Sequence, residues 1–201
     1  MTTRERADAA RNRRRILTAA RLLVERHGAD AVTMDDVATT AGVGKGTLFR
    51  RFGDKAGLAR ALLAESERTL YVRVTTGEAP LGPGAPATER LVAFFDAYLA
   101  FLTANLDLMR IAETAKPGAR FRAEPYRYWH HHVARLLVEA RVPADPRALS
   151  HALMAAVAAD LHRAVGRESA PGAMRNAILH LVGKSTSGGM IPAPRLQALR
   201  A

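Results

Sequence analysis

Apolar side chains recur along the chain at helical spacing. Ile16, Ala20, Leu23 and Val24 stand at i, i+4, i+7 and i+8, one stripe of a first helix that ends near His27-Gly28. Thr33 is placed to cap a short second helix over 34–41, with Asp35 and Asp36 in its first turn, where the helix dipole favours negative charge. Gly42-Val43 closes it. A third short helix covers about 44–52, and a long fourth runs from about 54 to 76. Further on, Leu91, Phe95, Tyr98 and Leu102 form a stripe, with Phe94 and Phe101 beside it. A short helix over 106–114 ends at Lys116-Pro117-Gly118. Pro125 opens the next at a position where a missing amide proton costs nothing, with Trp129, Val133, Leu136 and Ala140 on one face. Asp145-Pro146 reads as a cap and first-turn proline, starting an Ala-rich helix to about 165. Pro171 opens the last helix, with Met174, Ile178, Leu181 and Val182 apolar. No alternating strand pattern stands out. The fold predicted is all-α, with about nine helices.

Proline and glycine punctuate this pattern. Residues 77–87 hold three of each in eleven positions, which excludes a helix or an interior strand and predicts a flexible connector between a compact N-terminal unit and a larger C-terminal one. The last residues, from Lys184 through Ser185-Thr186-Ser187-Gly188-Gly189 to Pro192 and Pro194, read as a tail, and no internal repeat is found. At 48% apolar and 24% charged residues, the 201-residue chain can build a core. The absence of cysteine excludes disulfides, thiolate nucleophiles and cysteine-ligated zinc, and suits a reducing compartment. The N-terminus carries arginines up to Arg15 and no apolar run of the kind a secretory signal needs. Asp, Arg or His breaks every apolar stretch before membrane-spanning length, so no membrane partner and a cytoplasmic location are expected.

Charge adds a candidate partner. Residues 1–60 hold 13 basic and 7 acidic side chains, and the other 141 hold 17 and 12, within a formal total of +11. Net positive charge is thus about three times denser in the first stretch, the footprint of a polyanion binder as well as of a merely solvated surface.

The window from Val32 to Lys55 gives that footprint a shape. Two short helices separated by a glycine turn, the second small and basic, describe a helix-turn-helix. Gly42 supplies the sharp turn, where a positive backbone angle is cheap only without a side chain. Val37, Ala38, Val43, Leu48 and Phe52 can face inward and fix the crossing of the two helices. That leaves Lys45, Gly46, Thr47, Phe49 and Arg50 facing out. Small residues at the N-terminal end of a helix permit close entry into a major groove, with the positive dipole end toward phosphates.

In these residues the chain resembles the TetR family of bacterial transcriptional regulators, specifically its N-terminal DNA-binding domain. The likeness covers roughly residues 13–63. It includes Ile16-Leu17, Ala19-Ala20, Gly28, Thr33, Val37-Ala38, Ala41-Gly42-Val43, Gly46-Thr47-Leu48-Phe49, Phe52, Lys55 and Leu58. It implies a helix-turn-helix DNA-binding domain over 1–60, a helical effector-binding and dimerisation domain over 61–190 and a tail over 191–201. It also implies that Thr33 and Lys55 grip phosphates on either side of the groove, that Lys45, Gly46 and Thr47 lie in it, and that Arg50 reaches a phosphate or a guanine edge. Two departures stand out. Gly44 replaces a frequent hydroxyl residue, removing a helix cap and a phosphate contact at a cost of about a few tenths of a kcal/mol as a cap. Phe49 replaces a frequent tyrosine and packs on sugar and backbone without donating a hydrogen bond.

Other features admit plainer readings. Arg11, Arg13, Arg14 and Arg15 make either a DNA contact or a solvated helix start. Residues 42–47 only faintly resemble a phosphate loop, since Thr39 stands where a glycine is required and no strand precedes them. In His130-His131-His132, consecutive helical side chains diverge by about 100°, so three in a row cannot converge on one ion. His151 and His162 share a helical face but lie about 16 Å apart along it at 1.5 Å per residue. No metal and no cofactor are expected. No nucleophile elbow, zinc-protease motif or paired nucleophile and base appears, so no enzyme is expected.

For the C-terminal region the resemblance implies a homodimer that presents two readers to a near-palindromic double-stranded DNA operator. Its usual surface is the last two long helices, here smoothed by Ala152, Ala155, Ala156, Ala159 and Ala164; packing of these alanines in an intramolecular core is the alternative. The remaining helices are expected to enclose a pocket for a small, mostly apolar effector. Its candidate lining is Phe94, Tyr98, Phe101, Met109, Glu113, Tyr126, Trp129, His130, Val133 and Met154. The function expected is a ligand-released repressor. An effector-independent activator or architectural factor, and a small helical enzyme or carrier, stay open as alternatives.

Overall fold

Three of the helices start at side-chain caps written in the sequence, Thr33, Asp54 and Asp145. The computed structural model describes residues 3–166, 168, 170 and 172–186. Among these it has eleven helices and no strand: α1 (Thr3–His27), α2 (Met34–Ala41), α3 (Lys45–Phe52), α4 (Lys55–Thr76), α5 (Ala87–Ala104), α6 (Leu106–Thr114), α7 (Ala119–Arg122), α8 (Glu124–Glu139), α9 (Pro146–Ala155), α10 (Ala159–Val165) and α11 (Ala173–Thr186). Asp54 caps α4 by accepting the Gly57 amide at 2.7 Å, and Asp145 caps α9 by accepting that of Ala148 at 2.6 Å. The expected tail over 191–201 and the helix-opening Pro171 lie outside the described residues.

Two apolar cores organise the chain. The first joins Ile16, Ala20, Val37, Leu48, Leu58 and Leu62, from α1 to α4. Ile16, Val37 and Leu48 are fully enclosed, each worth about 1.5–3 kcal/mol relative to exposure. The second gathers Leu63, Leu70 and Val74 of α4 around Phe94, Phe95, Trp129, Val133 and Met154. The change of core thus falls inside α4, between Leu62 and Leu63. Residues 77–87 do not link two units. They turn α4 into α5 within the second core, where Leu81 is buried and the Gly82 amide bonds Glu78 O at 2.8 Å.

The expected helix over 145–165 is broken. It becomes α9 and α10, separated at residues 156–158, and with the short α7 this raises the count from about nine to eleven. Two side chains from elsewhere hold the break. Arg120 donates through Nη2 to Met154 O (2.7 Å) and Val157 O (3.4 Å), while Glu113 Oε2 accepts the Ala159 amide at 3.0 Å. The carbonyls ending one helix and the amide opening the next thereby find partners they would have had in a continuous helix. The alanine stripe splits accordingly: Ala159 is fully buried, whereas Ala152, Ala155 and Ala164 are exposed. No single described helix is long and apolar enough to cross a membrane. The bent α5–α6 pair, turned through 92°, instead supplies Phe94 and Phe95 to the core.

Candidate nucleic-acid interface

The α2–α3 corner is set by a few short-range bonds. Thr33 Oγ1 accepts the Asp36 amide at 3.1 Å, and Asp36 Oδ2 accepts the Thr33 amide at 2.9 Å, a reciprocal capping box. The Thr33 hydroxyl also donates to Asp36 Oδ2 at 2.6 Å. These hydroxyl and amide bonds from Thr33 hold the Asp36 carboxyl below its ordinary range. At the other end of α2, Gly42 adopts φ 59°, ψ 43°, the left-handed turn. Arg15 Nη2 locks that turn from α1 by bonding Ala41 O at 2.7 Å. At the α3–α4 junction, a Cβ on Gly57 would stand 1.8 Å from Phe52 O, so only glycine lets the two helices approach this closely.

On this base α3 presents a short polar face. Leu48 is fully buried and Val43 and Phe52 are half-buried against the first core, while Lys45, Gly46, Phe49 and Arg50 are exposed and Thr47 is half-buried. Gly44 is the N-cap in extended conformation and makes no side-chain cap bond, as its lack of a hydroxyl implies. The N-terminal end of α3 is thus open and free of bulk. Three of the expected contact residues are engaged within the chain. Lys45 Nζ meets Asp35 Oδ2 at 2.6 Å on the surface, Lys55 Nζ donates to Asp30 O at 2.8 Å, and the Thr33 hydroxyl serves the capping box. These are exposed or half-exposed contacts of the kind that exchange readily for another anion. Among the α1 arginines, Arg15 holds the turn, Arg13 covers the Phe52 ring at 5.8 Å, Arg11 pairs with Asp8, and Arg14 is exposed.

The profile of the family described as bacterial regulatory proteins, tetR family, matches residues 16–62, the stretch that builds this corner. Over those residues the chain carries a TetR-type DNA-binding domain. An HTH-type transcriptional regulator of Staphylococcus aureus (strain USA300) is 29% identical over 116 residues. That match covers 58% of this chain and 61% of the relative, so the chain spans under two thirds of the length of such curated relatives. Among solved structures, a TetR-family regulator from Rhodococcus sp. superposes with TM-score 0.60 at 22% identity, covering 89% of this chain and all of that one. One from Syntrophomonas wolfei gives 0.63 at 17%, covering 92% and 99%. These likenesses extend the TetR fold through the C-terminal helices. The family is one of regulators, in keeping with the expectation that the chain is not an enzyme.

Behind the TetR corner, charge ties the two halves together. Asp30, between α1 and α2, pairs with Arg110 of α6 and lies 3.8 Å from Arg163 of α10, which also meets Asp107 at 3.7 Å. A small cavity of about 50 Å³ lies among α4, α5, α6, α7 and α8. Of the expected lining, Tyr98, Met109, Glu113 and Tyr126 border it. Phe94, Trp129, Val133 and Met154 do not; they are the closed centre of the second core, with the Phe94 and Trp129 rings 5.4 Å apart. Phe101 packs edge-on to Tyr98 outside the cavity. His130 stacks on His151 at 3.8 Å, and Tyr126 OH bonds His151 Nδ1 at 2.7 Å. Stacked rings do not converge on an ion, and no group of three potential metal ligands occurs among the described residues. His132 packs against Phe94 and Trp129, and burial lowers it to about 4, so it is neutral there.

The sequence reading missed Arg120 and Glu67, both on the cavity wall. Arg120 is only 7% exposed, and its guanidinium lies 5.3 Å from the Tyr126 ring centre. Burial pushes the carboxyls of Glu67 and Glu113 above their ordinary range, with the Arg120 charge opposing the shift at Glu113. No local sequence signal separates such residues from solvent-facing ones.

Proposed function

We propose that the protein is a homodimeric, DNA-binding transcriptional repressor, released from a near-palindromic operator by a small, mostly apolar effector. The observation that carries this reading is the exposed α3 face. Lys45, Gly46, Phe49 and Arg50 project from a helix whose opposite side, through Leu48, is locked into the first core. A rigid short helix with no side chain at Gly44 or Gly46 can sit deep in a major groove, with its open N-terminus toward phosphate. Thr33 and Lys55 then meet the backbone on either side by exchanging their present partners, Asp36 and Asp30 O, for phosphate oxygens.

One such reader has a small footprint, and a second copy doubles it. Two α3 helices spaced about 34–36 Å apart, one turn of the duplex, meet successive major grooves. An effector acts only if it prefers the form of the dimer with a different spacing. The chain has two connections suited to carrying that preference. The α4 helix belongs to both cores, and the Asp30 cluster ties the α1–α2 corner to α6 and α10.

Selection of bound fragments from the source genome, followed by fluorescence anisotropy across a salt series, tests the reading. With about 6–10 phosphates neutralised per dimer, affinity should fall about 10³- to 10⁵-fold between about 50 and 200 mM salt. No enriched fragment, or an affinity indifferent to salt, would overturn it.

A further inference from the structure

We infer that Asp30 is a positioning residue for DNA binding: its carboxylate, gripped by Arg110 of α6 and Arg163 of α10, makes the stance of Thr33 and Lys55 depend on the C-terminal helices. This rests on the regulator reading above and adds the side chain through which that regulation passes.

Asp30 stands in the short loop from which both expected phosphate grips are hung. Thr33 follows it by three residues and opens α2 with the capping box. Lys55 reaches it from the first turn of α4. Its Nζ donates to Asp30 O at 2.8 Å, so the loop sets where that ammonium stands when a phosphate takes it over. On its inner side the loop is fixed to the N-terminal unit by Ala29 and Val32, both buried. Its outer side is held by the other half of the chain. Asp30 Oδ1 meets Arg110 Nη2, and Oδ2 lies 3.8 Å from Arg163 Nη2.

The two helices that supply these arginines are themselves braced together. Asp107 of α6 lies 3.7 Å from Arg163 Nε, and Glu113 of α6 accepts the Ala159 amide at the start of α10. Asp107, Arg110 and Glu113 recur every three residues on one face of α6, and Ala159 and Arg163, four apart, share a face of α10. A rearrangement of either helix is therefore felt at Asp30. The cluster has groups to spare for it: Asp107 Oδ1 and Arg110 Nε are enclosed without a hydrogen-bond partner, which leaves an acceptor and a donor for a second arrangement of the same charges. Exposed ion pairs add little to stability, and Asp30 is exposed. What three cationic side chains from three helices fix at this one residue is its direction.

Charge gives the inference a distinctive sign. Asp30→Ala removes a negative side chain beside the duplex site, which by itself tightens binding to a polyanion. Loss of the positioning contact weakens it. The test is fluorescence anisotropy with a genome-selected duplex across a salt series, on the full chain as wild type, Asp30→Ala, Arg110→Gln and the double variant, each checked for helicity. Asp30→Ala should bind about 5- to 150-fold more weakly, the usual range for coupled sites, although it is the more basic protein. The slope of log affinity against log salt should shrink by about 0.9 for each phosphate no longer gripped. The double variant should bind no more weakly than the weaker single one, because both changes remove the same link. Hydrogen exchange without DNA gives a second readout: amides of residues 29–34 should exchange at least about tenfold faster in both single variants. Tighter or unchanged duplex binding by Asp30→Ala, an unchanged salt slope, additive losses, or exchange equal to that of wild type would overturn the inference and leave the regulator reading standing. A wild type that binds no duplex removes the regulator reading, and the positioning role with it.

Discussion

The α2–α3 corner and the C-terminal bundle are held by contacts of different range. In the corner the decisive bonds close over three residues, Thr33 with Asp36 and Asp54 with Gly57. Its longer ties, Arg15 to Ala41 and Lys55 to Asp30, brace the unit, the first at the turn that ends α2. In the bundle, Arg120 reaches Met154 across 34 positions and Glu113 reaches Ala159 across 46. A surface that must match a duplex of fixed geometry is specified locally and rigidly. A cavity exists only once distant helices have assembled around it, and its polar groups are left partly unmet.

Substitutions can break or sharpen this contrast. The largest effect belongs to Phe94→Ala, which empties the centre of the second core and should cost about 3–5 kcal/mol in urea unfolding. Because α4 belongs to both cores, emission of the single Trp129 and far-ultraviolet circular dichroism should still change together. Two separated transitions would show that the cores unfold independently. Next comes Arg120→Met, which removes the guanidinium bonds to Met154 O and Val157 O and the ion pair with Glu113, and should cost about 2–3 kcal/mol. Combined with Glu113→Gln it should cost less than the sum of the single changes by about 1 kcal/mol. Strict additivity would mean the two side chains do not act as one clip.

Thr33→Ala should cost about 1 kcal/mol, the usual worth of a cap. Asp36 is lowered by its bonds from Thr33, so that stabilisation is present above the unfolded carboxyl range and is lost as pH falls through the folded one. The penalty should therefore shrink in strongly acidic buffer, as thermal melts across pH would record. The smallest effect is that of Glu67→Gln. Burial raises this carboxyl, so its neutral form favours folding at low pH, and that advantage is lost as pH rises through the folded value. The variant should melt higher than wild type in neutral buffer and match it in acid.

The same difference in range explains what the sequence disclosed. Helices 34–41 and 106–114 run between the residues expected of them; the Thr33 cap and Gly42 set the ends of the first, and Pro117-Gly118 follow just beyond the second. The outward set on α3 was equally legible, since one buried Leu48 fixes the face. The break between α9 and α10 was not, because an unbroken Ala-rich stretch favours helix and the groups that hold it open come from α6 and α7. Residues 77–87 looked detached for want of periodicity, although Leu81 packs into the core. On the cavity, Tyr98 and Tyr126 were readable as amphipathic aromatics. Burial of Arg120 was not, because an arginine in a polar stretch reads as solvated. Phe94 and Met154 resembled lining because apolar residues at helical spacing look alike whether they face a cavity or a neighbour.

The central claim is that the exposed face of α3 reads DNA, and the most direct measurement is duplex affinity of the Lys45→Ala, Arg50→Ala double variant. Both side chains are exposed, so circular dichroism should match wild type. Loss of two groove or phosphate contacts, each worth about 1–3 kcal/mol, should weaken binding to a genome-selected fragment by at least about 30-fold. Unchanged affinity in a variant of unchanged helicity would contradict the account.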